Sequence, residues 1–148
     1  NINSALKKKD EGHYFNELID QPATTLQGIG PKHAQDLSKL GLKTIAKLAD
    51  YKFFHLARSM VTLANVEEEN GRLEVATMNL NKGLDKEFEH LPLSEMIQQP
   101  LHVLQGITPA AEEVFQSLGV KTVSDLAEFK YCKWAEAIMA AAKFEEME

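Results

Sequence analysis

The sequence predicts an all-α protein made of two tandem repeats, and two observations lead to this fold class. Residues 1–70 align with residues 79–148 at a constant offset of 78 without a gap, and 25 of the 70 aligned pairs are identical. A fixed period of this kind is typical of repeat architectures. Apolar residues recur at helical spacing in both copies, and no alternating run of strand length is present. We therefore expect two helical repeats joined by a linker at 71–78.

The two repeats could associate in two ways. They could form two similar subdomains, or they could pack as a pseudo-twofold pair. A helical unit of about 70 residues is marginal alone, so we expect the repeats to pack through their last helices, which are the longest. The same faces would also allow two chains to dimerise.

Each repeat is predicted to contain about five short helices. The first is expected to begin after Asn3, or after Asn81 in the second repeat, because asparagine is a good N-cap residue. The second is expected to begin after Asn16 or Ser94 for the same reason. It must end before the proline that follows, Pro22 in the first repeat, because the residue before proline resists the α conformation.

The third and fourth helical segments have the clearest start and stop signals. A turn of helix at 23–26 leads to a central helix that is expected to begin with Pro31 or Pro109. The missing N–H of proline costs nothing at the first helical position. Gly41 or Gly119 is expected to end this helix as a left-handed C-cap.

The last two helices of each repeat follow directly. Thr44 or Thr122 is expected to cap the shorter of the two. The longer one is predicted over roughly Lys52 to Glu69 and Lys130 to Glu146, where an apolar stripe at helical spacing indicates a core-facing side. Cys132 lies in the apolar stretch of the second of these helices, so a buried thiol is expected.

Composition and charge narrow the classes of function. With 44% hydrophobic and 26% charged residues, the chain resembles an ordinary soluble globular protein, and no apolar run approaches the ~20 residues of a membrane span. The single cysteine excludes an internal disulfide and fits a reducing, cytoplasmic setting. The net charge of −6 is uneven: residues 1–74 contain ten Lys/Arg and ten Asp/Glu, and residues 75–148 contain six and twelve. An acidic second half repels polyanions, which argues against DNA binding over the whole surface.

A glycine-containing turn before the central helix is the best-matched segment of the two repeats. It reads Leu26-Gln27-Gly28-Ile29-Gly30-Pro31 in the first and Leu104-Gln105-Gly106-Ile107-Thr108-Pro109 in the second. With Lys32-His33-Ala34 and the helix after it, the first copy resembles the helix-hairpin-helix family. The resemblance covers roughly residues 17–50 and, less closely, 95–128.

This resemblance implies recognition of a DNA backbone without sequence preference. Two glycines allow a tight turn and a close approach to phosphate, and free N–H groups at a helix start form an anion site. Carried onto this chain, the phosphate contacts would come from the backbone of Gly28, Ile29 and Gly30. The side chain of Lys32 would add a cation. The run Lys7-Lys8-Lys9 could extend this basic patch, although such a run more often serves solubility.

The second copy departs from the pattern. Thr108 replaces the second glycine and Ala110 replaces the lysine, while Glu112 and Glu113 follow in the first helical turn. Their carboxylates would neutralise the positive end of the helix from within. We therefore predict that the second hairpin is degenerate and structural.

No catalytic or metal-binding pattern is visible in the sequence. The five histidines do not pair with cysteine or carboxylates at ligand spacing. We expect a non-enzymatic protein without a cofactor, a metal, a small-molecule substrate or a membrane partner. Two functions stay open. The one we favour is an interaction or scaffold module whose acidic second half contacts a protein partner or a second copy. The alternative is DNA-backbone binding through the first hairpin.

Overall fold

The regular structure of the chain is helical. The computed structural model describes residues 1–68 and 77–147, and within them it contains α-helices and short 3₁₀ turns but no β-strand. The predicted all-α class is therefore confirmed. The α-helices are α1 (Phe15–Leu18), α2 (Pro31–Lys39), α3 (Ile45–Ala49), α4 (Lys52–Ala64), α5 (Leu93–Met96), α6 (Pro109–Ser117), α7 (Val123–Ala127) and α8 (Lys130–Ala142). The 3₁₀ turns are Asn3–Ala5, Lys8–Asp10, Ala23–Thr25, Asn81–Gly83, Lys86–Phe88 and Leu101–Val103.

Each of these elements in the first repeat recurs in the second. Helices α1 to α4 reappear 78 residues later as α5 to α8 with the same lengths, and so do the 3₁₀ turns. Isolated backbone bridges recur as well: Leu6 pairs with Leu26, and Leu84 pairs with Leu104. The ungapped alignment explains this, because capping residues, prolines and turn glycines occupy matching positions.

The chain divides into two compact units that do not follow the order of the repeats. Unit 1 comprises Asn1–Tyr51 and Lys130–Glu148, and unit 2 comprises Lys52–Phe129. In unit 1, α8 of the second repeat packs on α3 and α1 of the first. In unit 2, α4 of the first repeat packs on α7 and α5 of the second. The units are thus composed differently from the predicted division into 1–70 and 79–148, and most of the predicted linker at 71–78 lies outside the described residues.

Each unit has an apolar core to which the last helix of the other repeat contributes. We call these two helices, α8 in unit 1 and α4 in unit 2, the exchanged helices. In unit 1, Ile45 and Leu48 of α3 are fully buried, as are Cys132 and Ala135 of α8. The prediction of a buried Cys132 thiol is confirmed, and burial raises the pKa of this thiol. In unit 2, the buried residues of α7 meet those of α4, namely Phe53, Phe54, Ala57 and Met60. Among the residues described, none of the helices has the length and apolar character to cross a membrane.

A glutamate beyond each long helix closes the start of a short helix in the same unit. Glu145 accepts hydrogen bonds from the backbone N–H groups of Phe15 and Asn16 at 2.7 and 2.9 Å. Glu67 does the same for the first two residues of α5, at 2.7 and 3.2 Å. A helix start has unpaired N–H groups and a partial positive charge, and a carboxylate satisfies both. Desolvation raises the pKa of the Glu145 carboxyl, but these hydrogen bonds outweigh it and leave the pKa below its ordinary value.

The long helices are shorter than predicted. The helices end at Ala64 and Ala142, whereas the predictions extended them to 69 and 146. Glu67 and Glu145, which were predicted to lie inside these helices, therefore lie beyond their ends.

The predicted caps of α1 and α5 are also wrong. Tyr14 and Pro92 occupy the N-cap positions, so Asn16 and Ser94 lie inside the first turn. There the Asn16 side chain has a different role, since its Nδ2 donates to the Ala142 carbonyl at 2.9 Å. The first predicted helix of each repeat is a 3₁₀ turn that begins at the asparagine itself.

The remaining start and stop signals are confirmed. Pro31 and Pro109 are the first residues of α2 and α6. Gly41 and Gly119 both have φ of +82°, the left-handed conformation that ends a helix. The threonine hydroxyls before α3 and α7 accept hydrogen bonds from the third helical N–H at 3.2 and 3.1 Å.

Candidate functional site at the first hairpin

The first hairpin is a tight turn tied to the N-terminal segment of unit 1. The Ile29 N–H donates to the Leu26 carbonyl at 3.2 Å, and Gly28 has φ of +106°, as the third residue of a type II turn requires. The Gln27 N–H donates to the Ala5 carbonyl at 2.8 Å. The turn is therefore a fixed part of the fold on which the start of α2 follows directly.

Gly28 has a packing role that the sequence did not reveal. A Cβ atom at this position would overlap the hydroxyl of Tyr131, which comes from α8. The matching glycine of the second hairpin, Gly106, has φ of +103°, and a Cβ there would lie 3.1 Å from Cζ of Phe53 in α4. In each repeat, the first glycine of the hairpin thus packs against the aromatic ring of an exchanged helix. The recurrence of an aromatic residue at 53 and 131 was the available signal.

The side chain and both backbone polar groups of Ile29 are also engaged in contacts within the fold. Its side chain is fully buried, and its N–H is used inside the turn. Its carbonyl accepts a hydrogen bond from the Nζ of Lys7. A phosphate contact through the Ile29 amide would require the turn bond to be given up. The lysine contact, however, brings one cation of the Lys7-Lys8-Lys9 run to the hairpin.

Gly30 is the predicted site residue that the fold does not explain. Its φ of −84° is open to any residue, and a Cβ here would meet nothing within 4 Å. Its counterpart Thr108 adopts nearly the same backbone, with φ of −82°, and its hydroxyl accepts a hydrogen bond from the Ala111 N–H at 3.1 Å. Helix α2 has no such side-chain cap among the residues described. We call the helix start of the second hairpin closed, because the Thr108 hydroxyl caps it. We call that of the first hairpin open, because no side chain of the described residues caps it.

Lys32 stands beside this open helix start. Its side chain is 82% exposed, and its Nζ lies 3.3 Å from a carboxylate oxygen of Asp36, one turn further along α2. Lys39 approaches the other oxygen of Asp36 at 3.8 Å. A cation in the first turn opposes the helix dipole. An anion bound at the helix start would relieve that repulsion.

The acidic residue in the first turn of α6, Glu112, is held by contacts within unit 2. Glu112 Oε2 accepts a hydrogen bond from the His102 N–H at 2.9 Å and lies 3.1 Å from His102 Nδ1. This contact joins the Leu101–Val103 turn to α6. Glu112 therefore has a structural role in addition to the predicted neutralisation of the helix end, while Glu113 is exposed.

The charges near the two hairpins are opposite in character. The first repeat has lysine at five positions where the second has one lysine, two acids and two neutral residues. These positions are 7, 8, 9, 32 and 39 in the first repeat, and they match Asp85, Lys86, Glu87, Ala110 and Ser117. The compact units keep this difference, since unit 1 has ten Lys/Arg and ten Asp/Glu and unit 2 has six and twelve.

The described part of the chain offers no candidate metal centre as an alternative site. Residues 1–68 and 77–147 contain no group of three or more His, Cys, Asp or Glu that could hold a metal ion. No protein-family model matches the sequence, and neither a curated protein nor a solved structure was found to be similar to it.

Proposed function

We propose that this protein is a non-enzymatic module that binds the phosphate backbone of DNA through its first hairpin. The observation that carries the proposal is the open start of α2 at Gly30, compared with the closed start of α6 at Thr108. The two positions have the same backbone, so a threonine would fit at Gly30 and would cap the helix. Glycine in place of a threonine cap costs from a few tenths to about 2 kcal/mol. Without a side-chain cap, the backbone N–H groups at the start of α2 stay available to an anion.

The surrounding charges support phosphate as the anion. Lys32 stands in the first turn of α2, and Lys7 reaches the hairpin carbonyl of Ile29. Lysines neutralise phosphates and release counterions, which is the main source of sequence-independent DNA affinity. The net charge of −6 belongs to unit 2, and the neutral unit 1 contains the hairpin. Weak, strongly salt-dependent binding is therefore expected.

A single substitution tests this proposal, because the second repeat supplies the replacement residue. Gly30→Thr should close the helix start while preserving the fold. We expect it to abolish or strongly weaken binding of a fluorescein-labelled 20-base-pair duplex at about 20 mM salt, where phosphate contacts are strongest. Its melting temperature should be equal to or above that of the wild type. The matched control is Thr108→Gly, which should lower the melting temperature and leave duplex binding unchanged. Equal binding by Gly30→Thr and wild type would refute the proposal.

A protein partner, the function favoured by the sequence, remains a second proposal with its own observation. Val66 is 78% exposed and Phe144 is 88% exposed, and these two residues occupy the same position in the two repeats. Each stands directly before a capping glutamate, which fixes it outside the core. In a pull-down, a specific partner should be lost with Phe144→Ser or Val66→Ser. Retention of every partner by both variants would contradict this second proposal.

A further inference from the structure

Helix α8 places a cation of the second repeat next to the first hairpin. The Nζ of Lys130 lies 5.2 Å from the centroid of the Tyr131 ring and 5.4 Å from that of the Trp134 ring. The Tyr131 hydroxyl in turn lies against Gly28. The Lys130 ammonium is thus held over a ring whose other end touches the hairpin turn. All of these residues belong to unit 1.

The two rings position this ammonium without neutralising it. Aromatic faces attract a cation by about 0.5–1 kcal/mol at exposed sites. The two rings themselves meet edge to face, with centroids 5.8 Å apart, so they present a fixed surface. In the part of the chain that the structure describes, Lys130 has no ion pair with a carboxylate, in contrast to Lys32. Its charge is available to an external anion.

The same position of the first repeat provides a control built into the chain. Lys52 also begins a long helix, is also exposed, and lies 5.0 Å from the Phe53 ring centroid. Phe53 sits on Gly106 as Tyr131 sits on Gly28. The hairpin beside Lys52, however, has the Thr108 cap and has Ala110 in place of the lysine. Both lysines therefore lie over the ring of the residue that follows them, and they differ in the hairpin they accompany and in the second ring, Trp134, that only Lys130 contacts among the described residues.

We propose that Lys130 extends the cationic surface formed by Lys7 and Lys32, and that this surface takes a strand with several phosphates rather than one phosphate group. This inference rests on the proposed function. Phosphates follow one another every ~3.4 Å along the axis of one strand. In this proposal, the cations supplied by the N-terminal segment, by α2 and by α8 meet different phosphates of one strand. The exchange of α8 makes the second repeat part of the first repeat's binding surface.

The test measures duplex binding by fluorescence anisotropy with the full chain, between about 20 and 150 mM salt. We expect Lys130→Gln to weaken binding about two- to fivefold and to reduce the slope of log affinity against log salt by about 0.9, the value for one lost phosphate contact. Lys52→Gln should leave both the affinity and the slope unchanged. Inorganic phosphate, added at the same phosphate concentration as an unlabelled duplex competitor, should not displace the labelled duplex. Thermal unfolding confirms that each variant is folded.

The outcomes separate this inference from the proposal on which it rests. If Gly30→Thr weakens binding but Lys130→Gln behaves like Lys52→Gln, the hairpin site stands and the role of Lys130 is refuted. If Lys130→Gln and Lys52→Gln weaken binding equally, general charge explains the effect and the role of Lys130 is again refuted. Displacement by inorganic phosphate would overturn the requirement for a strand. If the wild type does not bind duplex at 20 mM salt, both proposals fail together.

Discussion

Replacement of Gly28 by alanine tests the most unusual contact in the structure, that between the first hairpin and α8. The variant meets two costs. A left-handed φ of +106° disfavours a residue with a Cβ by about 1–2 kcal/mol. The overlap of that Cβ with the Tyr131 hydroxyl adds the cost of overpacking, about 1–3 kcal/mol. Gly28→Ala should therefore lower the free energy of unfolding by about 2–5 kcal/mol.

The comparison variants follow from the same geometry. Gly106→Ala meets the tip of the Phe53 ring at 3.1 Å, a contact that a small shift relieves, so a loss of about 1–3 kcal/mol is expected. Gly30→Ala has open space and an ordinary φ, so its effect should stay within about 1 kcal/mol and can be stabilising. Urea unfolding followed by circular dichroism and by the fluorescence of Trp134, the single tryptophan, gives all three values.

A double-mutant cycle then tests which helix occupies the hairpin. Tyr131→Phe removes the hydroxyl that the new methyl group would strike, so it should recover part of the loss in Gly28→Ala, with a coupling energy of about 0.5–3 kcal/mol. It should not couple to Gly106→Ala. Additive effects of Gly28→Ala and Tyr131→Phe would refute the contact. Coupling of Tyr131→Phe to Gly106→Ala instead would show that each repeat keeps its own last helix.

Two further predictions concern the glutamate caps and the exchanged helices. Because the hydrogen bonds from Phe15 and Asn16 lower the pKa of Glu145, the stability that its carboxylate contributes should be present above the ordinary value of 4.5 and lost as the pH falls through the lowered pKa. Glu145→Gln should lower the melting temperature at pH 7 and reduce the acid dependence below pH 4.5, and an unchanged pH profile would contradict this. Separately expressed residues 1–70 and 79–148 should form a one-to-one complex when mixed, because each compact unit contains segments of both pieces. Pieces that stay separate after mixing, by size-exclusion chromatography, would count against the exchange.

The sequence predicted the fold class and most helix boundaries because local signals decide them. Pro31, Gly41 and Thr44 act through their own backbone or side-chain geometry, and each was found in its predicted role. The choice of packing partner for α4 and α8 is different in kind. Both helices have the same apolar spacing, and α3 and α7 have the same receiving faces, so the pattern fits self-packing and exchange equally. Three-dimensional competition between equivalent surfaces decides it.

The candidate site was predictable in part for a similar reason. The substitution of Gly30 by Thr108 between the repeats was visible in the sequence, and the structure shows that the backbone is the same at both positions. The seating of Tyr131 on Gly28 was not visible, because it joins residues about a hundred positions apart through the exchange. The cap formed by Glu145 was hidden by a helical pattern that continues past the end of the helix.

The division of the chain into units also sets the order in which they can be completed during synthesis. Unit 2 is one continuous segment, Lys52–Phe129, whereas unit 1 has its two segments on either side of it. When Phe129 has just been added to the growing chain, every residue of unit 2 has been made, yet α8 has not. The faces of α1 and α3 that pack on α8 therefore stay uncovered by it until Ala142 has been added. Within residues 1–148, the segment Asn1–Tyr51 is therefore made before unit 2, yet the unit to which it belongs is completed after unit 2.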